Sequence, residues 1–131
     1  MAAAESYPDD LRYHREHDWA RVDGDEAVLG ITWFAADSLG ELVHFEPPEV
    51  GATISKDQSY GEVESVKAVS DVIAPLSGEV LEVNSAVVDT PETVNEDPYG
   101  NGWLIRIRLS DAGEADGLLD VEAYKQVLAE Q

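Results

Sequence analysis

Hydrophobic and polar positions alternate along most of this chain, which is the pattern of half-buried β-strands. The clearest run is 103–109, where Trp103, Ile105, Ile107 and Leu109 face inward against Leu104, Arg106 and Arg108. Shorter strands are predicted at 19–22 and Glu26–Ile31, joined by a turn at Asp23-Gly24-Asp25, and at Leu42–Glu46. Pro47-Pro48 ends the last of these, because proline has no N–H to give a ladder. From Gly51 onward the period stays near two: Tyr60, Val63, Val66, Val69, Val72 and Ile73 supply β-branched or aromatic positions, with Glu62, Glu64 and Asp71 between them. Pro75 and Gly78 punctuate the next turn, and Val80, Leu81 and Val83 form a further strand.

Two stretches depart from this period. Residues 32–39 suit a short helix, with Thr32 as its N-cap and Gly40 placed to end it in left-handed backbone. Residues 120–130 suit a C-terminal helix, with Asp120 as N-cap and Val121, Tyr124, Val127 and Leu128 on one face. Residues 91–102 are rich in turn formers, and 1–10 form a loose N-terminal arm. A faint echo links 50–54 to 83–87, with Gly51 and Asn84 both able to take left-handed backbone. The whole predicts one domain over 1–131, mainly β, a barrel or sandwich with a short internal helix and a terminal helix.

Composition narrows the function. Among 131 residues, 28 are acidic and 8 basic, for a formal net charge of −20, which opposes nucleic-acid and anionic-membrane partners. The hydrophobic fraction of 44% is enough for a real core. No cysteine is present, so disulfides, thiolate metal sites and thiol nucleophiles are excluded, and any redox sulfur must come from a cofactor. No apolar run reaches the ~20 residues of a membrane helix. The small, acidic opening residues resemble neither a signal nor a transit peptide, so a cytoplasmic location is expected, or a mitochondrial matrix if a transit peptide has been removed.

Little catalytic chemistry assembles. His14 and His17 have an i, i+3 spacing with Asp18 following, but read as a surface pair rather than metal ligands, and no metal is expected. His44 falls in a strand. The carboxylates are too many for any pair to be informative, and no nucleophile–base set is visible, so a hydrolase is the weakest reading.

The three lysines, Lys56, Lys67 and Lys125, are informative because they are few. Lys67 interrupts the best β-rich stretch. If two strands met there, Val66-Lys67 would be the hairpin tip, yet neither is a residue that primed turns favour. Spacing alone therefore favours a strand running straight through, with Lys67 turned to solvent. An exposed lysine is a poor nucleophile at neutral pH, but a good attachment point for a group on a long stem.

The segment Gly61-Glu62-Val63-Glu64-Ser65-Val66-Lys67-Ala68-Val69-Ser70-Asp71 resembles the lipoyl-attachment segment of the glycine cleavage system H proteins, in the biotinyl/lipoyl-domain superfamily. Ala74-Pro75-Leu76-Ser77-Gly78-Glu79-Val80, 91–104, His17-Asp18-Trp19, Gly30-Ile31-Thr32, and Leu39-Gly40-Glu41-Leu42-Val43 with Pro48-Glu49-Val50-Gly51 fit the same family in the same order. The likeness spans about residues 11–128. Departures fall at Trp33-Phe34-Ala35-Ala36, where the family usually has Asp, Tyr or Phe, then Ala-Gln, and at His44 and Pro47.

The resemblance implies a hybrid barrel-sandwich of two small antiparallel sheets, with Lys67 carrying lipoate in amide linkage at a hairpin tip. It assigns Glu64 and Gly78 to recognition by the lipoylating enzyme, a lipoate ligase or a lipoyl/octanoyl transferase. It implies a carrier rather than an enzyme. The carrier shuttles the aminomethyl group of glycine between a pyridoxal-phosphate glycine decarboxylase, a tetrahydrofolate-dependent aminomethyltransferase and dihydrolipoamide dehydrogenase. A second role as lipoyl donor in protein lipoylation, a binding module that has lost its cofactor, and biotin attachment are the alternatives. The last is disfavoured because Val66 and Ala68, not methionine, flank the lysine. Carriers of this kind resemble monomers.

Overall fold

The computed structural model describes residues 2–131. In chain order the strands are β1 (Arg12–Tyr13), β2 (Asp18–Asp23), β3 (Glu26–Ile31), β4 (Leu42–Glu46), β5 (Thr53–Ile54), β6 (Ser59–Ser65), β7 (Val69–Ile73), β8 (Gly78–Val83) and β9 (Ile105–Leu109). The helices are α1 (Trp33–Leu39), α2 (Ser85–Asp89), α3 (Thr93–Glu96) and α4 (Val121–Ala129), with a 3₁₀ turn at Ala112–Gly117. One six-stranded sheet runs β1-β2-β3-β9-β8-β5, and a three-stranded sheet runs β4-β6-β7. Every pairing is antiparallel.

Alternation explains the layers. Leu29, Ile105, Ile107 and Val80 from the larger sheet meet Phe45, Val63 and Val72 from the smaller, and together they form the main core. Their strand neighbours face water: Arg106 bridges Glu26 (2.7 Å) and Glu82 (3.2 Å) across three strands, and Arg108 lies 3.6 Å from Glu79. Leu104 departs from the alternation predicted for 103–109, because the strand begins only at Ile105 and Leu104, just before it, is buried in the core.

Capping residues set the helix ends. Thr32 accepts a hydrogen bond from the Ala35 N–H and starts α1, and Asp120 accepts one from the Ala123 N–H at 2.8 Å and starts α4. Gly40 ends α1 at φ 85°, in the positive-φ half but with extended ψ rather than the left-handed helical well. The apolar stripe Val121, Tyr124 and Val127 lays α4 on the outer side of β1 and β2. There Tyr124 stacks on Tyr13, with ring centres 4.6 Å apart, and both join Leu11 and Trp19 in a second cluster.

Three expectations change. The echo between 50–54 and 83–87 is not structural: Gly51 has φ 92°, whereas Asn84 has φ −74° and caps α2. Its side chain accepts from the Ala86 N–H and donates to the Asn101 and Trp103 carbonyls, so a buried amide demands a helix start there. The turn-rich segment 91–102 contains α3. Over its described residues, 2–10, the N-terminal arm has no helix or strand, yet it is tied down rather than loose. Ala3 N–H donates to Asn95 O (2.9 Å), Trp33 Nε1 donates to Ala3 O (2.8 Å) and Tyr99 OH donates to Ser6 O (2.6 Å). No helix among the described residues is long and apolar enough to cross a membrane.

Candidate functional site

The strand expected to run straight through Lys67 instead breaks into a hairpin. β6 and β7 pair through Glu64 and Val69, and Val66-Lys67 form the tip. Neither tip residue has positive φ. The turn is closed by a side chain. The Ser65 hydroxyl, on a buried residue, accepts from the N–H groups of Lys67 (3.3 Å) and Ala68 (3.1 Å), while the Ser65 N–H donates to the Ala68 carbonyl (2.8 Å). Spacing could not show this, because the turn chemistry sits one residue before the tip. A serine there, able to bond nearby backbone N–H groups, was the available signal.

The tip is open. Val66 is 83% exposed and Lys67 is exposed beside it. Among the described residues no carboxylate pairs with the Lys67 ammonium, whereas Lys56 lies 3.7 Å from Asp57. The Lys67 stem passes over the end of α1, where a Cβ built on Gly40 would stand 3.5 Å from its Cε. Gly40 also lines a cleft of about 300 Å³ between α1 and α3, with Trp33, Asp37, Glu41 and Asn95.

Glu64 is exposed on β6, opposite His44 on β4 and Val69 on β7. Gly78 is elsewhere: it is buried at the start of β8, in the other sheet, paired with Ile54 and Leu109. A Cβ there would lie 2.2 Å from the Arg108 carbonyl oxygen, so only glycine lets β8 and β9 approach.

The two histidines with metal-like spacing diverge. His14 Nε2 meets Asp57 at 2.7 Å, and His17 Nδ1 meets the Tyr124 hydroxyl at 2.8 Å. His17 has φ 74°, and burial, first of all, lowers its pKa. His44 is exposed and lies 3.1 Å from Glu46. A buried pair went unnoticed in the sequence. Asp18 Oδ1 and the Tyr60 hydroxyl, at the seam of the two sheets, have no hydrogen-bond partner among the described residues. Burial pushes both pKa values well up, and the Asp18 charge raises that of Tyr60 further.

Lys67 stands exposed on a hairpin whose turn the Ser65 hydroxyl closes, at one side of a two-sheet sandwich, a form that suits a carrier domain. Residues 11–131 match the glycine cleavage H-protein family model. The chain is 52% identical over 124 residues to the glycine cleavage system H protein of Carboxydothermus hydrogenoformans, covering 95% of both chains. It is 52% identical over 125 residues to that of Halorhodospira halophila, covering 95% of this chain and 96% of that one. A crystal structure of the H protein from Mycobacterium marinum superposes with a TM-score of 0.86 at 43% identity, covering 94% of this chain and 99% of that one. The chain belongs to the glycine cleavage H-protein family.

Members of this family are lipoyl carriers and not catalysts; they bear lipoate covalently on a lysine. The protein is thus a carrier of the glycine cleavage system, shuttling the aminomethyl group of glycine among the decarboxylase, the aminomethyltransferase and dihydrolipoamide dehydrogenase.

Proposed function

We propose that Lys67 is the lysine that carries the lipoyl group, in amide linkage at the hairpin tip. The observation that carries this reading is an exposed ammonium, without a carboxylate partner among the described residues, on a turn whose backbone the Ser65 hydroxyl fixes. Lys125 also has no ion pair among the described residues, but it lies on α4 and not on a turn held out from the sheets. A lipoyl group on Lys67 supplies a redox-active dithiolane at the end of a long flexible stem. The chain's own part is to hold the stem's root still and leave its sides open.

Glu64, three residues before Lys67 and exposed on the same hairpin, offers the lipoylating enzyme a carboxylate. Gly78 enters the reading differently. Its buried backbone contact with Arg108 makes its effect on recognition one of sheet shape, not direct contact. The protein works as one compact unit over 1–131, as a monomer in the cytoplasm. The bacterial sources of its relatives support that location.

Intact mass after incubation with lipoate ligase, lipoate and ATP tests the assignment. The wild type gains one lipoyl group, and Lys67→Arg gains none and supports no glycine decarboxylation. A gain of equal size in Lys67→Arg would move the attachment to Lys56 or Lys125.

A further inference from the structure

The outer face of the β4-β6-β7 sheet carries an unusual combination. Six large apolar side chains are left exposed among the described residues, and all are valines. Three of them, Val43 (48% exposed), Val66 (83%) and Val69 (60%), stand around the same tip. Single exposed apolar residues need no explanation, but a contiguous patch marks a contact surface.

The register shows how the patch forms. His44, Glu64 and Val69 are directly opposite one another across the three strands, so their side chains share the outer face. Between Leu42 and His44 the pairing slips by one residue, and Val43 is the extra residue of that bulge. A bulge turns a side chain away from the alternation. Val43 follows buried Leu42 and precedes exposed His44, and it emerges on the outside. Val43 and Val69 thus flank Glu64 from its two neighbouring strands, and Val66 rises beside Lys67.

The next cross-strand row is Glu46, Glu62 and Asp71, all exposed. Like charges directly opposite destabilise a sheet, and the His44 ring lies 3.1 Å from Glu46 at the edge of this row. The surface therefore carries three valines near the lysine, with His44 and Glu64 among them, bordered by carboxylates.

Resting on the attachment reading above, we propose that Val43, Val66 and Val69 form a docking collar for glycine decarboxylase. The mouth of that enzyme is an apolar ring rimmed with lysine and arginine. The apolar contact seats the tip, and the acidic row steers it and favours a basic rim. The collar thus acts on productive encounter rather than on the chemistry of the arm.

Fully lipoylated carriers are compared as substrates of glycine decarboxylase, with loading confirmed by intact mass. In Val43→Ser/Val69→Ser the KM for the carrier rises about tenfold, as for loss of a central contact residue. Val50→Ser, which removes an equally exposed valine outside the hairpin, moves KM less than about twofold, because it leaves the central contact intact. Melting temperatures stay together, since none of these side chains is in the core. In Glu46→Gln/Glu62→Gln/Asp71→Asn the salt dependence of KM flattens. Unchanged KM in the valine variant at full loading overturns the collar alone. So does sedimentation showing that the wild type self-associates through these valines. A wild type that gains no lipoyl mass overturns the attachment reading, and the collar falls with it.

Discussion

At the hairpin tip, Val66 and Lys67 contribute almost nothing to the packing, and one serine hydroxyl holds their backbone in place. Behind the six-stranded sheet, Tyr13, Trp19 and Tyr124 are fully buried, and the Tyr124 hydroxyl lies 2.8 Å from both His17 Nδ1 and Thr32 Oγ1. Through Thr32 this second region reaches the N-cap of α1, and at the far end of α1 a Cβ added to Gly40 would stand 3.5 Å from the Lys67 Cε. One region is over-determined and chemically silent; the other is under-determined and chemically free. The difference teaches how a carrier divides its labour. On the proposal that Lys67 is the attachment point, stability is concentrated where nothing reacts and the modified end is left bare.

That division is open to test. The largest effect is expected from Tyr124→Ala, which empties the stacked site on Tyr13 and removes both hydroxyl contacts. It should cost about 3–5 kcal/mol in urea unfolding, as for other large aromatic truncations in cores. At temperatures where the variant is still folded, its lipoylation rate should match the wild type. A slowed rate would show that the two regions are coupled.

Asp18→Asn probes the seam between them. Burial, foremost, raises the Asp18 carboxyl well above its ordinary range; the nearby Glu16 charge adds to this, and the Ile73 N–H opposes it. A carboxyl raised in the folded state keeps a proton that the unfolded chain releases. Native stability then falls as pH rises from the ordinary carboxylate range through the folded value. Asparagine cannot ionise, so the variant should gain on the wild type as pH rises towards 7, by about 1.4 kcal/mol for each pH unit between the ordinary and the folded value. The gap should close towards pH 4 in thermal melts. A gap independent of pH would mean that ionisation is not the cause.

The smallest effect belongs to the tip itself. Ser65→Ala leaves the Lys67 and Ala68 amides without their shared acceptor. It should cost about 1 kcal/mol, measured by urea unfolding, and hydrogen exchange at Ala68 should quicken. Because the root of the stem is freed, kcat/KM for lipoylation should also fall. If exchange quickens but modification does not slow, a fixed root is not needed.

What was legible in the sequence follows the same division. β3 and β4, and the caps Thr32 and Asp120, rest on local chemistry and stand where the pattern placed them. The hairpin break at Val66-Lys67 was invisible to spacing, since its closure comes from Ser65 and not from the tip residues. It became legible only through the family motif. Asn84 was misread because its local tolerance of left-handed backbone mattered less than two carbonyls, at residues 101 and 103, brought close by the fold. The buried pair Asp18 and Tyr60 exists only because two sheets meet. Gly78 appeared as a turn residue and is in fact a spacer between backbones.

The order of the small sheet has one more consequence. With β6 in the middle, β4 and β7 are both edges. A flat, apolar edge invites the same edge of another copy, and two such edges permit open-ended addition. Here the bulge at Val43 twists one edge, Pro47-Pro48 cuts it short, and the row Glu46, Glu62 and Asp71 would face its own likeness in any strand-to-strand approach. The carboxylates that attract a basic enzyme therefore also keep crowded copies of the carrier from zipping to one another.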